Sequence, residues 1–309
     1  MQINADSLPG IDSASDAASS DASEPTVTPR PTLRARLRRT VLLSATVLAP
    51  RLAADKLARR YLTSDQAVLD TLAGRSHRFE IVDLRQDTFV LRSRVRKNAA
   101  DAPRVLIAPG HDGHIRQFTR VARALQKRGA TVDMLIYPGH GHVSRKVCSL
   151  ADIVDAICRA TQFEGPYDGI VAHCVAANAM FHALERGVSS PRMALISVPL
   201  DLPGLIRLGG RQYGLSGRCL DQFVDRVSAL GAPCTIDKPW RPVAETRDED
   251  LLIVQSRNDY AAPVEKARPL ADVWPGAMME EFDHGGHNGI LNVTSAINRI
   301  AEFMVTDRT

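Results

Sequence analysis

The chain lacks any pattern of paired cysteines. Its five, at positions 148, 158, 174, 219 and 234, form no CxxC and no zinc-ribbon spacing. An odd, scattered set argues against a disulfide framework and suits reduced thiols in a cytoplasmic protein. A strong charge of either sign is also missing. The formal net charge is +4 over 309 residues, and much of it sits in the run RPTLRARLRR (30–39) rather than on the body. That distribution fits a solvated or surface-facing helix and gives no reason to expect a nucleic-acid partner. No apolar run is long enough to span a membrane. The stretch after Arg38-Arg39 extends about eleven residues before Arg51, against about twenty for a crossing helix. Its arginine pair faintly resembles a twin-arginine export signal, which makes export the alternative to a cytoplasmic location.

The first 32 residues are rich in Ser, Ala, Asp and Pro and poor in large apolar groups. Such a composition cannot offset chain entropy and is expected to be disordered. Residues 33–65 then form a basic segment, in which APRLAADKLARRYLT (49–63) places Leu52, Leu57 and Leu62 among alanines as one apolar helical face. Through residues 30–62 this segment could touch a membrane surface.

From residue 66 to the end the texture is that of one globular domain. RFEIVDL (78–84) and TFVLRSRV (88–95) alternate apolar and polar residues like paired antiparallel strands. RVLIAPG (104–110), TVDMLIYPG (131–139), YDGIVAHC (167–174), RMALISVP (192–199) and EDLLIVQS (249–256) are buried strands. Amphipathic helices alternate with them at 115–129, 149–162 and 175–187, the second opening on a Ser149/Asp152 capping arrangement. The alternation implies an α/β protein with a doubly wound, mostly parallel sheet. Residues 200–247 break the rhythm with short glycine-bearing helices and are expected to form a small helical cap over the carboxyl ends of the strands, where ligands bind in such sheets.

One short stretch concentrates the chemistry. In Ala172-His173-Cys174-Val175-Ala176 a thiol stands between small residues where a buried strand turns into a helix. The pattern small-x-nucleophile-x-small belongs to a tight, strained turn whose flanking side chains would otherwise collide with the neighbouring strand and helix. Core packing is the competing account of a lone cysteine.

With this stretch, the loops RNDYAAP and FDHGGHNGIL and the strand order, residues 50–307 resemble the α/β-hydrolase superfamily. The resemblance implies that fold and an ordered triad of nucleophile, acid and histidine. It matches the nucleophile to Cys174, the acid to Asp259 in the Asp-x-x-x-Pro loop, and the base to His287 in the Gly-His loop. It also implies an oxyanion hole of backbone amides, mapped to Val175 and to His111 in PGHDGH. Asp201, after the strand ending SVP, is the alternative acid, and His284 the alternative base. The chain departs from the pattern in three places: cysteine where serine is usual, alanines where the elbow has glycines, and Pro109-Gly110 where His-Gly is usual.

The implied activity is acyl transfer through an acyl-cysteine, with thioesterase favoured over ester or lactone hydrolase. An acyltransferase or cyclase of natural-product or lipid metabolism, or a non-catalytic ligand-binding relative, is the alternative. The expected partner is a small-molecule acyl ester or thioester, free or carrier-bound, and no cofactor is expected. The pairs His111/His114 and His140/His142, with Asp283 and His284, have no recognised ligand spacing, so no metal is expected. Asp112, His140 and His142 are assigned to the pocket wall by position alone, and His173 and His182 to packing or surface.

Overall fold

The computed structural model describes residues 46–72, 79–93, 102–144 and 146–305. The segment 1–32, the start of the basic segment and the arginine pair of the export reading lie outside the described residues.

An eight-stranded sheet carries the chain. In chain order the strands are β1 (Phe79–Asp83), β2 (Phe89–Ser93), β3 (Arg104–Ala108), β4 (Thr131–Ile136), β5 (Gly169–His173), β6 (Arg192–Ile196), β7 (Asp250–Ser256) and β8 (Ala277–Phe282). They lie in the order β1-β2-β4-β3-β5-β6-β7-β8. β1 pairs with β2 and β2 with β4 in antiparallel fashion, and the remaining pairs are parallel. Successive residues of the central strands point to opposite faces. Leu106, Ala108, Ile170, Ala172, Leu251 and Ile253 join one apolar core, while Val105, Ile107, Val171, Leu252 and Val254 join the other. Two cores explain why these strands read as unbroken apolar runs rather than alternating ones.

Helices α1 (Pro50–Tyr61), α2 (Val68–Leu72), α3 (Thr119–Lys127), α4 (Leu150–Glu164) and α5 (Val175–Glu185) precede the cap. α3 and the terminal helix at Thr294–Val305 pack together on the face opposite α4 and α5. Ser149 and Asp152 form the capping box at the start of α4. Between β6 and β7 lie α6 (Leu202–Gln212), α7 (Gly217–Leu230) and α8 (Arg241–Ala244). α1 packs along α7, with an Asp55–Arg226 ion pair of 2.5 Å at the seam.

The buried face of α1 differs from the sequence expectation. Ala53, Ala54, Leu57 and Ala58 are buried, whereas Leu52 is 75% exposed. A five-residue step turns an α-helix through about 500°, so Leu52 and Leu57 cannot share a face.

Candidate active site

β5 ends at His173 and α5 begins at Val175, leaving Cys174 as the single residue of the turn. Its φ of 54° and ψ of −126° lie far from ordinary L-residue conformations. A non-glycine residue there stores strain that its surroundings must hold. Its amide donates to Ile196 O of β6 at 3.0 Å, and the flanking Ala172 and Ala176 are completely buried. Larger residues would have no room. Gly110 crosses just above: a Cβ there would lie 3.0 Å from Cys174 Cβ and 3.2 Å from His173 Nδ1.

The acid and base loops follow β7 and β8, one strand and two strands beyond β6 in the sheet. Ser256, the last residue of β7, ties them together. Its hydroxyl donates to His284 O at 3.2 Å and accepts from the amides of Asn258 at 3.3 Å and Gly286 at 3.0 Å. Asp259 Oδ1 accepts the amides of Ala261 and Ala262 at 2.9 and 2.8 Å. Both carboxylate oxygens lie against His287 Nδ1, at 3.0 and 2.9 Å. Burial would raise the Asp259 carboxyl, but its bonds to the imidazole and the Ala262 amide hold it below the usual carboxylate range.

With Nδ1 committed to Asp259, the other ring nitrogen is left for chemistry. His287 Nε2 is buried and has no partner in hydrogen-bonding geometry. Burial alone would lower the pKa of His287. The Cys174 sulfur and the Asp259 carboxylate outweigh it and raise the pKa to about 10. Cys174 and His287 line the same cavity, and bonds between such groups often tighten only when substrate is present.

Two side-chain donors converge on the main chain of the base. His173 Nε2 and Ser197 Oγ each lie 3.1 Å from His287 O. Burial, with His287 beside it, lowers the His173 pKa to about 3, so the ring is neutral and Nε2–H donates. The sequence reading assigned His173 to packing or surface. It is buried, but it lines the cavity and braces the base loop. Ser197 was not singled out at all, and a serine at a strand end carries no motif that could have marked it.

The amide of Val175 heads α5, and the first amides of a helix have no intrahelical acceptor. Val175 and His111 both line the cavity beside Cys174. The His111 loop is held in place from behind. Asp112, with φ 56°, accepts from the Ser64 hydroxyl at 2.7 Å and the Asp65 amide at 3.1 Å. Its own amide donates to His140 Nε2 at 3.1 Å. The His111 ring meets Leu62 O at 3.1 Å, and burial beside His140 lowers its pKa to about 4.

The cavity above Cys174 encloses about 80 Å³. Leu202, Leu205 and Ile206 of α6, Val227 of α7 and Ile153 of α4 give it apolar walls, and Tyr61 and Leu62 close it from the α1 side. Asp112, His140 and His142 do not line it. The first two are buried behind the His111 loop, and His142 lies at the surface, 2.8 Å from Asp70. Asp201 makes no contact with His287 among the described residues. Its carboxylate caps the Gly204 amide at the start of α6 at 2.9 Å and pairs with Lys266. His284 is exposed and offers only its carbonyl to Ser256. Among the described residues no three His, Cys, Asp or Glu side chains are grouped to hold a metal ion.

No protein-family model matches the sequence, and no curated protein matches it. Solved structures do resemble it. An esterase from Pyrococcus furiosus superposes with a TM-score of 0.59 at 15% identity, over 79% of this chain and 97% of the esterase. Est1E from Butyrivibrio proteoclasticus gives 0.57 at 16% identity, over 74% of this chain and 99% of its own. An alpha/beta hydrolase enzyme from the sediment metagenome of the Mar Chica lagoon, Morocco, gives 0.52 at 14% identity, over 72% and 95%. At these identities the likeness establishes a shared fold, and the chain has the α/β-hydrolase fold.

Proposed function

We propose that the protein is an acyl-transfer hydrolase that cleaves an ester or thioester through an acyl-Cys174 intermediate. The observation that carries this reading is the alignment of Asp259, His287 and the strained Cys174 turn beneath an apolar cavity. Sharing a fold with known esterases supports the class of reaction; fold alone does not fix the substrate.

In this mechanism Cys174 Sγ attacks the acyl carbonyl carbon with its proton held on His287 Nε2. Asp259 fixes the ring's orientation and tautomer and stabilises the imidazolium. The amides of Val175 and His111 meet the oxyanion. Collapse breaks the bond to the leaving group, which receives the proton from His287 and leaves a thioester on Cys174. Water, activated by the same imidazole, then attacks that thioester and restores the thiol.

A thioesterase is favoured over an ester or lactone hydrolase. Passing an acyl group from one thiol to another costs little free energy, so cysteine suits a thioester substrate. Transfer to a nucleophile other than water, as in an acyltransferase or cyclase, is the alternative use of the same intermediate. The substrate is a small acyl compound, free or carrier-bound. Five thiols without a disulfide support a cytoplasmic location. A contact between α1 and an anionic membrane surface rests on Val47, Leu48 and Leu52, 79%, 83% and 75% exposed, beside Arg51 and Lys56. Loss of liposome flotation in the Leu48→Glu/Leu52→Glu variant checks it.

The deciding measurement for the reaction is intact-protein mass spectrometry after brief mixing with acyl thioesters and activated esters. The expected result is an added acyl mass in the wild type, its persistence in His287→Ala, and its absence in Cys174→Ala. Folded protein with neither adduct nor turnover across the panel favours the non-catalytic ligand-binding reading.

A further inference from the structure

The cavity walls are apolar on the cap side except at one position. Tyr61, the last residue of α1, lines the cavity, and three neighbours fix its ring. The ring stacks nearly parallel to His111, with centroids 6.4 Å apart and planes at 8°. It meets Phe223 of α7 edge-on at 5.5 Å. It also presses against the backbone of α6 at Gly209, where a Cβ would come within 2.5 Å of Tyr61 Cε2. Glycine in the middle of a helix costs about 1 kcal/mol, and here its bare backbone makes room for the tyrosine.

The hydroxyl oxygen also lies against Gly209, 3.2 Å from where a Cβ would stand, but none of these contacts is a hydrogen bond. Tyr137, which is fully buried, donates to Pro109 O at 2.7 Å, whereas no hydrogen bond from the partly buried Tyr61 Oη is found among the described residues. Phenylalanine would keep the stack and the edge contact. The hydroxyl of a tyrosine that lines a cavity is normally satisfied by water or by ligand. A wholly apolar acyl chain filling the cavity would expel that water and leave the oxygen unpaired, which disfavours such a ligand. Burial pushes the Tyr61 pKa upward, so at neutral pH the group keeps its proton and can donate.

We propose that Tyr61 is a specificity-determining residue that donates a hydrogen bond to an oxygen carried by the acyl chain, so that the preferred substrate is an oxygenated acyl group, such as a hydroxyacyl or ketoacyl ester or thioester, rather than a plain hydrocarbon one. This rests on the acyl-transfer reading for the word substrate but not for the binding preference itself.

The test separates the two. Ethyl hexanoate and ethyl 3-hydroxyhexanoate are titrated calorimetrically into the full chain carrying Cys174→Ala, which cannot turn them over, with and without Tyr61→Phe. The expected result is tighter binding of the hydroxy ester by about fivefold, the scale of one neutral hydrogen bond, with the preference lost in Tyr61→Phe. Tyr61→Phe in the otherwise native chain should lower kcat/KM for the hydroxy ester alone. Equal affinities, a preference that survives Tyr61→Phe, or no binding of either ester overturns the proposal. Discrimination without an acyl adduct on native Cys174 overturns the acyl-transfer reading instead, and an adduct without discrimination overturns only the role of Tyr61.

Discussion

Asp133 and Asp259 are both buried carboxylates on the same sheet, and they are satisfied in opposite ways. Asp133 lies toward the amino ends of the strands. Arg92 grips it through two bonds of 3.0 and 2.9 Å, Arg104 approaches at 3.1 Å, and the Tyr167 hydroxyl donates at 2.9 Å. Every partner is a fixed donor, and the cluster is electrically closed. Asp259 lies beyond the carboxyl end of β7. It takes two backbone amides and one imidazole, and that imidazole keeps a buried nitrogen with no hydrogen-bonding partner, turned to a thiol. One carboxylate ends a network, and the other passes its influence on. On the proposed mechanism the same residue type serves stability at one end of the sheet and reactivity at the other, according to whether its partner has a second functional atom.

The sharpest way to break this contrast is to remove each charge in turn. Asp259→Asn should lower kcat/KM by about 10³- to 10⁴-fold, through loss of imidazolium stabilisation and of the tautomer that leaves Nε2 ready to accept a proton. Its unfolding midpoint should fall less than that of Asp133→Asn, because a buried imidazole can shed its proton where a guanidinium cannot. Asp133→Asn should do the reverse. Leaving two arginines without their shared partner is expected to cost about 3 kcal/mol in urea unfolding, below the full value for a buried pair because both guanidinium groups reach solvent. Activity per folded molecule should remain within about twofold. A variant that lost both equally would erase the distinction.

A smaller effect concerns the proton on His287. Its pKa is raised to about 10 although burial opposes the charge. The linkage follows in sign: stability from this proton is complete below the unfolded value of about 6.5 and is lost as pH rises through about 10. Cys174→Ala removes one of the two groups that raise it. The ring should then titrate at lower pH, which NMR of the imidazole can follow, and the alkaline loss of stability should begin earlier. An unchanged titration would mean that Asp259 alone holds the proton.

The same contrast marks what was legible in the sequence. Strands β3 to β7 were readable because two-sided burial writes itself as runs such as RVLIA and LLIVQ. Of the three residues proposed for the reaction, Cys174 stood out by its small neighbours at a strand-to-helix turn, and Asp259 and His287 only through loop patterns shared with a known superfamily. Contacts between elements distant in the chain left no such mark. His173 and Ser197 reach His287 O from 114 and 90 residues away. Tyr61 enters the cavity only because α1 docks along α7. The apolar face of α1 was misjudged because leucine was counted where alanine does the packing. Asp112 and His140 looked like pocket residues because a loop at a strand end has two sides, and only packing decides which side holds the ligand.

The least effect is expected where two polar residues resembled the proposed acid and base in the sequence. Asp201 and His284 lie in loops at the same end of the sheet as Asp259 and His287. Asp201 caps α6 and pairs with Lys266, at 43% and 53% side-chain exposure, an arrangement worth about 1 kcal/mol at most. Asp201→Asn and His284→Ala should each leave kcat/KM within about twofold, and Asp201→Asn should shift stability only slightly. A large loss of activity in either would mean that the acid or the base is exchanged during turnover, so that the buried Asp259–His287 pair describes only the resting site. Activity retained in both would leave burial, rather than position in the sheet, as the property that separates a working carboxylate from a bystander.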